Sequence, residues 1–131
     1  MKSPGLVLTK LRAACLAFPE TSETSSWGHP NFRAGKRTFA TFERVGGRPS
    51  IAFRLDPDDV ERLLGRKPFF TTPSGRGQWA SIWAHTALDW RMVADLLQRS
   101  YRVVALKRMI KALERGSHPV RRRRTVRSGQ L

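Results

Sequence analysis

The chain has 131 residues, 40% of them apolar, with seven Phe, four Trp and one Tyr, enough to bury the core of one domain and too few for two. It has no run of about 18 apolar residues, which excludes a membrane-spanning helix, and its one Cys excludes an internal disulfide and a Cys-based metal site. Lys and Arg number 25 against 10 Asp and Glu; six of the Arg lie in residues 115 to 131, which leaves 19 bases against 10 acids before them and a body charge of +9.

That balance favours polyanions, nucleic acid first and an anionic membrane surface second. An Arg-rich composition produces the same balance with no partner at all.

Ser3-Pro4 reads as an N-cap with Pro at the first helical position. Leu8, Leu11, Cys15 and Phe18 then recur at helical spacing, and the helix ends by Pro19. Lys10 and Arg12 interrupt the apolar run, as a signal-peptide core does not tolerate, and they argue equally against a lipoprotein reading of Ala14-Cys15. The expected location is cytoplasmic. Cys15, in a periodic apolar run, reads as a small core side chain rather than a nucleophile.

After the polar stretch ETSETSS, the segments NFRA and RTFATFERV flank Gly35-Lys36, and GGRP leads into SIAFRL. Three strands joined by tight turns make an antiparallel meander. In RTFATFE each face carries a Phe, which predicts cover on both sides. Asp56-Pro57-Asp58-Asp59 opens a short helix that Gly65 ends. KPFFTTP is extended, SGRG turns, and QWASIWA alternates Trp79, Ser81 and Trp83 with Ala80 and Ile82. Asp89 caps a last helix expected to run to about Arg115 and stop at Gly116. SHPVRRRRTVRSGQL is a like-charged tail, expected to be disordered. The fold class is therefore α+β, an antiparallel sheet of hairpins packed against an N-terminal and a long C-terminal helix, with one short helix between strands. The expected division is a domain over 1–116 and a tail over 117–131.

WGHPNF, GKRTFATF, the P-x-S-I-A-F strand, SGRGQWASI and LDWRMVADLLQRSYRVVA, in this order and spacing, resemble the MmcQ/YjbR family over residues 4 to 114. The resemblance implies a compact, CyaY-like or secretion-chaperone-like α+β fold. It also implies DNA binding, a label resting on two hairpins that look like a double wing. It implies no enzymatic activity and no cofactor. The Arg-rich tail departs from the family pattern.

Several candidate sites follow. Trp27 and His29 read either as a pocket mouth that stacks on a base or as a tight corner with Trp27 in the core; Tyr101 is expected to line the same groove. No Ser-His-Asp or Cys-His arrangement stands out, and His29, His85 and His118 are too scattered to hold a metal. Arg33, Lys36 and Arg37 on one hairpin and Arg76 at the tip of another would place cations along a phosphate backbone, or simply form a solvated rim. Gly75-Arg76-Gly77 lacks the pattern of a phosphate-binding P-loop. Trp79 and Trp83 read as core packing before base stacking. Arg121, Arg122, Arg123 and Arg124 would bind nucleic acid by charge without reading sequence. The expectation is a monomeric, non-enzymatic DNA-binding protein without cofactor, metal or membrane. The alternatives are a chaperone-like adaptor for a protein partner, or a small-molecule binder using the Trp27, His29 and Tyr101 groove.

Overall fold

The computed structural model describes residues 4–72 and 77–117. The expected N-cap Ser3, the turn residue Arg76 and the tail with Arg121, Arg122, Arg123 and Arg124 lie outside the described residues. In chain order the elements are α1 (Pro4–Leu16), β1 (Thr21–Ser26), β2 (His29–Ala34), β3 (Arg37–Val45), β4 (Arg48–Arg54), α2 (Pro57–Leu64), β5 (Phe69–Phe70), β6 (Trp79–Trp83), α3 (Trp90–Val104) and α4 (Lys107–Ser117). The strands form one antiparallel sheet in the order β1-β2-β3-β4-β6-β5. The fold is α+β, as the element order predicts. No helix of the described residues is long and apolar enough to cross a membrane.

Local chemistry explains most boundaries. Asp56 caps α2 by accepting from the Asp59 N–H, and Pro57 fills the first helical position, where no N–H is needed. Asp89 caps α3 by accepting from the N–H groups of Arg91 and Met92. Gly46 and Gly47 both have positive φ, as a two-residue β3–β4 turn requires.

The helices share one side of the sheet. Val7, Leu11 and Cys15 of α1, Val60 and Leu63 of α2, Leu97, Tyr101 and Val104 of α3 and Met109 of α4 join one apolar core with Phe32, Phe53 and Ile82 from the strands. Tyr101 is its largest fully buried side chain. Phe18 stacks on the Tyr101 ring at 4.8 Å and Phe39 meets its edge at 5.7 Å. The Tyr101 hydroxyl donates to the Pro19 carbonyl at 2.8 Å, which ties α3 to the end of α1.

Four sequence expectations need correction. The polar stretch after Pro19, placed before the three-strand meander, belongs to the sheet: Thr21–Ser26 is an edge strand, and its register against β2 runs from Thr21↔Ala34 to Ser26↔His29. Its Ser and Thr suit an edge that faces water.

The single long C-terminal helix is two helices. Ala105 is extended (φ −70, ψ 149), and α4 restarts at Lys107 and runs through Gly116 to Ser117. The reason is phase. In a straight helix, the positions that follow Tyr101 and Val104 on the buried face are Arg108, Lys111 and Arg115. The break turns those charges outward and brings Met109, 1% exposed, into the core.

The two Phe of β3 do not cover opposite faces. The β2–β3 register shifts between Phe32 and Arg33, so Ala40 opposes Phe32 while Thr38 opposes Arg33. Phe39 is the extra residue of this bulge, and it packs on Phe18 and Tyr101, on the same side as buried Phe42. Trp79 and Trp83 are likewise not core residues. Ala80 and Ile82 take the core side of β6, and both Trp are half-buried on the other face.

Candidate nucleic-acid interface

The sheet has one face covered by helices and one without. Directly opposed residues share a face and alternate along each strand. The register therefore assigns the helix-free face row by row. Arg54 opposes Trp79, Ala52 opposes Thr41 and Ser81, and Ser50 opposes Glu43 and Trp83. Phe70 opposes Ser81, and Arg48 opposes Val45. On β2 the same face carries His29, Asn31 and Arg33.

Aromatic and cationic groups meet on this face. Phe70 stacks on Trp83 with ring centroids 4.1 Å apart and planes 19° apart. The Arg48 guanidinium lies 4.4 Å from the centre of the same Trp83 ring, and His85 meets Trp83 edge-on at 5.7 Å. Trp79, across from Arg54, has no ring or cation partner among the described residues. A Trp ring beside a guanidinium is attracted to it by the ring quadrupole, and both planes can stack on a base.

Charge divides by layer. Of the ten acids of the chain, Glu43 alone lies on the helix-free face. The others sit on helices, at their caps, or where they turn toward the helices; Asp56 and Asp89 cap helices, and five more pair with Arg. Asp59 pairs with Arg62 and lies 3.6 Å from Arg99; Asp95 pairs with Arg99 at 3.0 Å and Glu114 with Arg102 at 3.1 Å. Arg108 holds Glu20 at 2.8 Å, and Arg12 holds Glu23 at 2.6 Å. Hydrogen bonds from these Arg hold the Glu20 and Glu23 carboxyls below the usual carboxylate range. Arg33, Arg48 and Arg54 on the helix-free face have no such partner among the described residues.

The residues singled out from sequence fall in different places. The β2–β3 turn presents Lys36 and Arg37 to solvent. Arg33 folds back on that turn and donates to the Lys36 carbonyl, and Arg44 does the same at the β3–β4 turn, donating to Gly47 at 2.9 Å. These two Arg brace their own hairpins.

Trp27, His29 and Tyr101 do not line one groove. Trp27, with φ +55, and Gly28, with φ +78, form the two-residue β1–β2 turn, so the Trp27 ring stands 95% exposed at the tip. His29 starts β2 on the helix-free face. Tyr101 is on the opposite side, fully buried, and burial pushes its hydroxyl pKa up, with Glu20 adding to the shift. The WGHP stretch is thus a hairpin tip, with its Trp held outward by backbone geometry. Burial likewise raises the Cys15 thiol far above its ordinary value, as suits a core side chain.

A second feature lies beside the β2–β3 turn. A cavity of about 420 Å³ opens between that turn and the α3–α4 junction. Val104, Leu106 and Met109 give it an apolar wall, and Lys36, Arg37 and Arg108 rim it. No group of three His, Cys, Asp or Glu among the described residues is placed to hold a metal ion.

The YjbR family model matches residues 16–103. The chain belongs to the YjbR family. No curated protein matches it. Solved structures share the YjbR fold. A Deinococcus radiodurans protein with a DUF419 domain superposes with a TM-score of 0.65 at 20% identity, covering 88% of this chain and 91% of its own. A Pseudomonas syringae protein superposes with a TM-score of 0.59 at 12% identity, covering 79% of this chain and 98% of its own. At these identities the likeness concerns the fold. The stacked Phe70, Trp83 and Arg48 were missed as a site from sequence. The alternation of QWASIWA was the available signal, and what it lacked was which face the helices take.

Proposed function

We propose that this YjbR-family protein binds nucleic acid through the helix-free face of its sheet and the β2–β3 turn. One observation carries the reading: Glu43 is the one acid on the helix-free face, and the acids that pair with Arg, namely Glu20, Glu23, Asp59, Asp95 and Glu114, are on the helix side, while Arg48, Arg54, Lys36 and Arg37 stand without carboxylate partners among the described residues. Cations that satisfy no internal acid are available to phosphate. In the double-wing picture that the family resemblance implies, Lys36 and Arg37 top one wing, and Arg76, Arg121, Arg122, Arg123 and Arg124, outside the described residues, would add further cations without sequence preference.

The test is a salt series on the full chain with a labelled oligonucleotide, read by fluorescence anisotropy. Changing Lys36, Arg37 and Arg54 to Gln should weaken binding and flatten the salt dependence by up to about 0.9 in log–log slope for each duplex phosphate no longer neutralised. Changing Arg91 and Lys111, cations of the helix layer, should do neither. Equal losses from both sets would show that net charge alone binds and would refute the surface.

The cavity favours a second reading, a small apolar anion held by the Leu106 and Met109 wall with its charge at Lys36 and Arg37. An anionic naphthalene dye gives the direct test. Fluorescence enhancement that Leu106→Gln removes supports this reading, and enhancement that survives the substitution refutes it.

A further inference from the structure

We infer that the preferred ligand of the helix-free face is a single strand with unpaired bases, stacked on Trp79 and on the Phe70–Trp83–Arg48 column. The inference rests on the nucleic-acid reading above and names its ligand class. Its starting point is that three large aromatic side chains occupy a sheet face that no described helix covers. A duplex shows its phosphates and the edges of its bases, and it hides their faces in the stack. An aromatic plane on an open sheet is matched by a base whose face is free.

The chemistry around the rings agrees. Arg54 faces Trp79 across β4 and β6, and Arg48 lies over Trp83. Trp83 therefore has a guanidinium on its ring, and Trp79 has an Arg opposite it in the register, whose guanidinium donates to the Leu55 carbonyl at 3.1 Å. Trp79 and Trp83 are four residues apart on one strand, which separates their sites by about 13 Å. Ser81, between them on the same face, and Ala52 opposite it are small and buried, so the half-exposed Trp rings stand above them as the parts of this face that solvent reaches. Glu43, the one acid of the face, opposes Ser50 at the Trp83 end, so the Trp79–Arg54 end is the more cationic. Trp79, free of ring partners among the described residues, is the primary stacking plane. Phe70, Trp83 and Arg48 are already stacked on one another, so the outer surfaces of that column offer the second.

The experiment uses the full chain and three labelled ligands of equal length, about twelve nucleotides. These are oligothymidylate, a mixed-sequence duplex, and an abasic strand with the same phosphates and no bases. The abasic strand reports charge alone, including any charge contributed by the C-terminal Arg. Oligothymidylate should bind about tenfold or more tighter than the abasic strand and should quench Trp fluorescence. Trp79→Leu keeps apolar bulk and removes the aromatic plane. It should bring oligothymidylate down to the abasic level and leave abasic binding unchanged, and Trp79→Phe should restore most of the difference. A circular dichroism spectrum and urea midpoint matching the parent's show that the variant is folded. If all three ligands bind alike and Trp79→Leu changes nothing, or if the duplex binds tightest, stacking is refuted and the charge reading survives. If none of the three binds, both readings fall.

Discussion

Trp27 offers a test of how backbone geometry and packing divide the energy of a turn. It is a bulky residue at φ +55, first of a two-residue turn that requires positive φ, and 95% of its surface is exposed. The left-handed conformation costs an L residue with a Cβ roughly 1–2 kcal/mol, and Asn bears it better through local hydrogen bonds. The ring hides about one-twentieth of its surface. At about 25 cal/mol per Å² over a side chain of roughly 250 Å², that burial is worth about 0.3 kcal/mol. The difference predicts that Trp27→Asn stabilises the protein by about 0.5–1 kcal/mol, a rise in Tm of about 2–4 °C for a domain of this size. Urea unfolding followed by circular dichroism measures it, with the midpoint moving up and the slope unchanged. A loss of about 1 kcal/mol or more would refute the reasoning, because it would mean that the ring packs against the protein in solution.

Other consequences are as direct. Tyr101→Phe leaves the Pro19 carbonyl without its donor and should cost about 1 kcal/mol in urea unfolding, and no loss would break the proposed tie between α3 and α1. Gly35→Ala should cost more than Gly46→Ala. Both sites have positive φ, but a Cβ at Gly35 would sit 2.8 Å from the Met109 Cε and one at Gly46 meets nothing. Equal costs would mean that α4 does not pack on the β2–β3 turn. Ile82→Ala, in the core, should cost about 2–5 kcal/mol, well above Trp79→Leu on the half-exposed face; the reverse order would put the core on the wrong side of the sheet. The double change Glu20→Gln and Glu23→Gln removes two carboxylates whose folded-state pKa values are depressed by Arg108 and Arg12. Their contribution is complete above the ordinary Glu value of about 4.3 and disappears as pH falls through the depressed ones. The variant should therefore be less stable than the parent at neutral pH and equal to it in strong acid, and a constant gap across pH would sink the assignment.

Much of this was legible in the sequence, and the gaps have physical causes. Asp56-Pro57 and Asp89 announce their helices because a cap is a local device. Ala80 and Ile82 separate from Trp79 and Trp83 by alternation alone. Alternation does not say which face the helices cover, and the larger rings lie outside the core while the smaller side chains fill it. Trp27 was ambiguous because Trp-Gly is an unusual pair for a turn that Asn-Gly usually makes. The break at Ala105 has no Gly or Pro to mark it. Its cause is tertiary, the need to keep Arg108 and Lys111 out of the core that Tyr101 and Val104 enter. The polar TSETSS became a strand because β2 was there to pair with it. Arg33 illustrates a general limit: its spacing marks it as a free cation, yet its guanidinium is bound to the carbonyl of its own turn.

The central claim is that the helix-free face is the nucleic-acid surface, and the four Trp indoles report on it directly. Trp79 and Trp83 lie on that face, Trp27 stands at a turn tip, and Trp90 begins α3 in the helix layer with Lys10 5.5 Å from its ring centre. Titrating ¹⁵N-labelled protein with oligothymidylate and following the indole N–H signals separates them. The account predicts that the Trp79 and Trp83 signals shift together, saturably, while the Trp90 signal stays in place. A shift of Trp90 with Trp79 and Trp83 unmoved would contradict it and put the binding surface on the helices.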